Sequence, residues 1–176
     1  MERKELLDEF LKICPSDRIT PEVKDYLEKN GFFTAPASTK FHGSYEGGLF
    51  DHSLNVAKQL VYLTLSQELK WPFPDSPVVI GLFHDLCKID QYRKVGNSYV
   101  WVNTPISGHG TKSVAYLSSI MTLAPEEIAC IRHHMGAFGD NNAQRQYTEA
   151  IHKYPNVLWT HTADMIASQI IEREQE

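Results

Sequence analysis

Histidine and aspartate recur in this chain on helix faces that are otherwise apolar, and that placement is the first sign of chemistry. His52 lies three residues after Leu49 and four before Val56. Asp85 lies three after Leu82 and seven after Val78, and its neighbour His84 four after Ile80. His134 follows Ile131 by three and Ile128 by six, and Asp164 follows Val157 by seven. Residues three, four and seven apart share one face of a helix, so each of these polar groups is expected to point inward. A buried imidazole or carboxylate costs several kcal/mol unless it is hydrogen-bonded, paired or bound to metal. A shared cation satisfies all of them together. Imidazole nitrogen with carboxylate oxygen suits Zn, Fe, Mn, Ni or Co rather than Ca or a purely oxygen-bound Mg.

The rival reading of each residue is structural. His84-Asp85 alone can be a hydrogen-bonded core pair, Asp164 a salt-bridging helix aspartate, and His109, in Ser-Gly-His-Gly, a loop histidine near a helix start. The set taken jointly carries the metal reading. Of the adjacent histidines, His134 shares the stripe of Ile128 and Ile131, whereas His133 is turned about 100° away.

The elements that must position these residues are mostly helical. Leu6, Leu7, Phe10 and Leu11 stripe a first helix, and Thr20-Pro21 opens a second that ends near Gly31. Residues 32–48 have loop composition, and a helix begins at Leu49 or Asp51. Trp71 to Pro77 breaks the pattern, and the apolar VVIGLFHDLCKI that follows is expected to run as one helix through the middle of the domain. Tyr92 to Val102 reads as a hairpin turning at Gly96 and Asn97. Further helices are expected from His109 to Met121, from Pro125 to His134 and from Pro155 to the end. The expected fold is all-α, a compact helical bundle with one short β-hairpin.

The 176 residues fit a single domain, 1–176, with the motif-bearing core at about 41–168. Hydrophobic residues at 42% supply a core that needs no structural metal, so any metal serves chemistry. A net charge of -5 argues against a broad basic surface for nucleic acid. Three cysteines without a CxxC pair suit a reducing compartment, and with no signal peptide or long apolar run the expected location is cytoplasmic, with no membrane partner.

In chain order, His52, His84-Asp85, His109, His133-His134 and Asp164 match the H...HD...H...H...D pattern, and the chain resembles the HD superfamily of metal-dependent phosphohydrolases. FHGSYEGGLFDHSLNVA, GLFHDLCKI, GHG and IRHHMG are most similar to the HD domain of bacterial 3′ to 5′ exoribonucleases that carry an OB-fold ahead of it. No OB-fold sequence stands ahead of it here, so the likeness implies the metal chemistry and not an RNA substrate. Cys87 stands where that superfamily often has Gly in HDxGK, and Lys88 matches the lysine.

The resemblance implies that His52, His84, Asp85 and Asp164 hold one ion. His109 and His134 would hold a second, with Asp85 bridging. Two divalent ions with these ligands leave a formal charge of about +2, which attracts phosphate. The implied activity is hydrolysis of a phosphate ester of a nucleotide or related small phosphorylated ligand, short RNA or DNA being less favoured. Asp85, Lys88 and His133 are the candidate catalytic residues. His42, Tyr45, Lys88 and Arg132 are the candidate substrate contacts, and Tyr45, Trp101 or Phe138 can stack on a base. The alternatives are a di-iron oxygenase of the myo-inositol oxygenase type and a non-catalytic nucleotide sensor. His161, one turn before Asp164, is a further candidate to orient it.

Overall fold

The computed structural model describes residues 1–40, 43–106, 108–138 and 141–173, and among them the architecture is a helical bundle with one two-stranded sheet. In chain order these are α1 (Arg3–Ile13), α2 (Pro21–Lys29), α3 (Gly48–Ser66), α4 (Ser76–Phe83), β1 (Tyr92–Val95), β2 (Ser98–Trp101), α5 (His109–Ser118), α6 (Pro125–Arg132), α7 (Asn141–Lys153) and α8 (Asn156–Ile166). The hairpin pairs Tyr92 with Trp101 and turns at Gly96-Asn97, as its sequence predicts. No described helix is long and apolar enough to cross a membrane.

The long helix α3 forms the axis, with α4 and α8 packed along it and α6 closing the group against α4 and α8. The crossing of α3 and α4 is very close, since a Cβ on Gly81 would fall 2.3 Å from the Ala57 Cα. Only glycine permits that approach. Phe32, from the loop before α3, packs against Phe50 and Phe83 at ring separations of 5.9 and 5.8 Å and closes one end of the core.

Two helices are shorter than their apolar pattern predicts, for one shared reason. The VVIGLFHDLCKI stretch leaves the α-helix at Phe83, turns through His84 and Asp85, and continues as a 3-10 turn over Leu86–Asp90. The His84 Nδ1 lies 2.9 Å from the Gly81 carbonyl, and the Cys87 N–H donates to the Ser113 hydroxyl at 3.0 Å. Those contacts take up groups that an unbroken helix would pair internally. Likewise α6 stops at Arg132, not His134, and the His134 Nδ1 lies 2.7 Å from the Ile131 carbonyl. Each histidine caps the helix it ends.

At the other end of the chain, α7 has no counterpart in the sequence reading. Its stripe of Ala143, Tyr147, Ala150 and Ile151 has helical spacing but is built of small and half-polar residues, and only Tyr147 is buried. Beyond α8 the chain widens into a π turn over Ala167–Ile171 and reaches Glu172.

Candidate metal centre

Five side chains from four parts of the fold converge where α3, α4, α6 and α8 meet. His52 comes from α3, His84 and Asp85 from the turn after α4, His134 from the turn after α6, and Asp164 from α8. His52, His84, Asp85 and His134 are buried, each 3% exposed or less. The His52 Nε2 lies 3.3 Å from the His84 Nε2, 3.3 Å from an Asp164 oxygen and 3.7 Å from the Asp85 Oδ2. The His84 Nε2 is 3.5 Å from the Asp85 Oδ2, and the His134 Nε2 is 3.4 Å from the Asp85 Oδ1. Donors about 2.1 Å from a common ion lie about 3.0–3.4 Å apart, and two overlapping groups, His52-His84-Asp85 and His84-His134-Asp164, come close enough together to hold an ion.

The orientation of the rings strengthens this. All three histidines turn Nδ1 to an acceptor outside the cluster, His84 to Gly81, His134 to Ile131 and His52 to the Glu172 carboxylate at 2.9 Å. The three Nε2 atoms therefore face one another, the arrangement that a metal-ligating imidazole takes when its other nitrogen is held from behind. The His134 Nε2 and Asp85 Oδ1 are buried and face each other at 3.4 Å, and neither makes a well-formed hydrogen bond. Buried polar atoms held this loosely cost free energy unless something binds them. The residues fit a divalent transition metal on both counts.

Charge is concentrated here. Burial pushes the His52 imidazole down, but Asp164 and Glu172 outweigh it and raise it to about 9. Burial opposes ionisation of Asp85, yet the Lys88 ammonium and the neighbouring imidazoles hold its carboxyl well below the usual range, and His52 does the same for Asp164. Lys88 is itself buried with its Nζ 2.6 Å from the Asp85 Oδ2. It rides on the 3-10 turn over Leu86–Asp90.

His109 stands at the edge of the cluster. Its Nδ1 faces the Cys87 Sγ and the Gln91 amide nitrogen, both at 3.5 Å, and Asp85, Cys87 and His109 form a second group with metal-ligand spacing. His134, expected beside His109, instead groups with His84 and Asp164. Burial and the Asp85 charge push the Cys87 thiol up to about 12, in keeping with an inert core cysteine.

Asp85 and Asp164 of the centre, with Lys88 and His109, line a cleft of about 530 Å³ that Tyr92, Met135, Phe138, His161 and Met165 also border. His161 is oriented by the His134 carbonyl, 2.7 Å from its Nδ1, so it braces the His134 turn rather than Asp164.

Four expected contacts are not brought to the cleft. His133 and Arg132 line a separate groove between α6 and α7, because the turn that aims His134 inward sends its predecessor out. Tyr45 is half-exposed beside Asp51, near the start of α3. Trp101 stacks edge-on to His109 but does not line the cleft, whereas Phe138 does. His42 lies outside the described residues.

Glu172, which reaches His52 from behind, was not foreseen. Its setting in a charged Glu-Arg-Glu-Gln-Glu ending gives no signal, since such a run is ordinarily solvated. No protein-family model, no curated protein and no solved structure matches the chain.

Proposed function

We propose that the chain is a metal-dependent phosphohydrolase of the HD type that cleaves a small phosphate ester, a nucleotide or a related phosphorylated ligand, in the cleft above the five-donor cluster. The observation that carries this reading is the gathering of three Nε2 atoms and two carboxylates, with the His134 Nε2 and Asp85 Oδ1 buried 3.4 Å apart without a well-formed hydrogen bond. His52, His84, Asp85, His134 and Asp164 would hold a first divalent ion, and Asp85 with His109 a second, weaker position. Such ions supply Lewis acidity, lowering the pKa of water and neutralising charge on phosphoryl oxygens.

The protein's own groups divide the remaining work. Lys88, on the cleft floor, balances Asp85 and is placed to meet a phosphoryl oxygen as a point charge. Met135, Phe138 and Met165 give the cleft apolar walls that would accept a flat leaving group. His161 borders the same cleft, and with its Nδ1 held by the His134 carbonyl its Nε2 would be left for proton transfer to a leaving oxygen.

The test is a screen of phosphomonoesters and phosphodiesters with protein reconstituted in Mn²⁺, Co²⁺ or Zn²⁺, run in air and under nitrogen. Release of phosphate or of a nucleoside in both atmospheres supports the proposal. Turnover that demands oxygen and iron would replace it with an oxygenase, and metal binding without turnover of any ester would leave a sensor.

A further inference from the structure

His52 is held at both of its ring nitrogens by the same terminal segment. Asp164, on α8, approaches Nε2, and Glu172, just past the π turn, lies 2.9 Å from Nδ1. The Glu172 carboxylate is largely buried, its Oε1 also takes a longer contact of 3.4 Å from the Asn55 amide, and its Oε2 is buried with no partner at all. A glutamate in so charged a run ordinarily stays in water. Taking it inside and leaving one oxygen unpaired opposes folding. The π turn over Ala167–Ile171 alters the helical register just before it, and π turns inside helices frequently mark functional sites.

The comparison with the other two rings is informative. His84 and His134 are each held at Nδ1 by a neutral backbone carbonyl three residues earlier, available wherever a helix ends in histidine. His52 sits in the first turns of α3, where no free carbonyl precedes it. An acceptor for its Nδ1 has to come from elsewhere in the chain, and it comes from 120 residues away.

We infer that Glu172 is a positioning residue, which fixes the His52 ring with Nε2 directed at the metal and couples docking of the segment that follows α8 to metal affinity. The inference rests on the metal centre proposed above. A carboxylate behind a ligating imidazole orients the ring and raises its basicity, and losing such a partner typically weakens metal binding by about 10- to 100-fold. A glutamine there keeps an oxygen acceptor at the same reach but not the charge, so it should restore orientation and only part of the basicity.

The experiment compares wild type, Glu172→Ala and Glu172→Gln by Zn²⁺ and Co²⁺ competition against a chromophoric chelator, with melting of each metal-free protein alongside. The expected result is a loss of about 10- to 100-fold in affinity for Glu172→Ala. Glu172→Gln should recover a large part of it, and metal-free melting of the two variants should be alike. Wild-type affinity in Glu172→Ala, or equal losses in both variants, overturns the inference and leaves the metal centre standing. Should wild type bind neither ion, the centre itself falls and the inference with it. If Glu172→Ala does not fold, the Glu172→Gln affinity decides: a measurable loss in a folded protein supports the role, and unchanged affinity overturns it.

Discussion

At the residue scale the centre depends on a few side chains whose freedom has been removed. Gly136 is one of the least replaceable, with φ at +74° and a Cβ that would fall 2.5 Å from the His161 ring. It follows His134 by two residues and closes the turn that aims that ligand inward, with its N–H donated to the His133 carbonyl. Gly136→Ala forces a left-handed alanine and pushes His161 aside, a cost of about 1–3 kcal/mol. The expected outcome is a lower melting temperature together with weaker metal binding. An alanine variant that melts and binds as wild type would show that the turn does not set His134. The clustering of His52, His84, Asp85, His134 and Asp164 was legible because an apolar stripe interrupted by His or Asp is costly to bury. Glu172 was illegible because nothing in a charged ending marks the one carboxylate that folds inward. His133 and Arg132 failed as site residues because the turn at the end of α6 that buries His134 leaves both of them on the groove beside α7.

At the element scale, Arg18 fastens three parts of the bundle together. Its guanidinium lies 2.7 Å from Asp75, which precedes α4, and 2.7 Å from Glu127 in α6. Glu127 is fully buried. Arg18→Ala leaves that carboxylate uncompensated, a loss of about 3–5 kcal/mol. Part of the loss depends on pH. Burial opposes ionisation of Asp75, but Arg18 and Ser16 outweigh it, so the folded-state pKa lies below the ordinary value. A depressed carboxyl contributes stability above its unfolded pKa and loses it as pH falls through the folded value. Urea unfolding at neutral pH and near pH 3 should therefore show the gap between wild type and Arg18→Ala narrowing in acid. A gap that stays constant or widens would contradict the assigned pairing. Helix positions were largely readable from stripes and from Thr20, Pro21 and Pro125, whereas helix ends at His84 and His134 were not. Periodicity reports which face is apolar, and it is blind to a side chain or a distant hydroxyl such as Ser113 taking a backbone partner away.

At the scale of the whole molecule, four separate segments contribute to a single buried cluster, so folding and ion binding are expected to be linked. A ligand present at about a thousand times its Kd and bound only by the folded state adds about 4 kcal/mol. For a chain of this length each kcal/mol moves the melting temperature by about 2–4 °C. The all-α class and the hairpin were readable from composition and pattern. The split of His134 from His109 was not, because sequence order does not say which of two inward-facing ligands lies nearer a third. The measurement that bears most directly on the centre is elemental analysis of untagged protein after gel filtration, on wild type and on Asp85→Asn. The account requires at least one divalent transition-metal ion per wild-type chain, retained on the column and stabilising against heat, and none in Asp85→Asn. Wild-type protein that holds no such ion after incubation with Mn²⁺, Co²⁺ or Zn²⁺, or an Asp85→Asn protein that keeps a full complement, would contradict it.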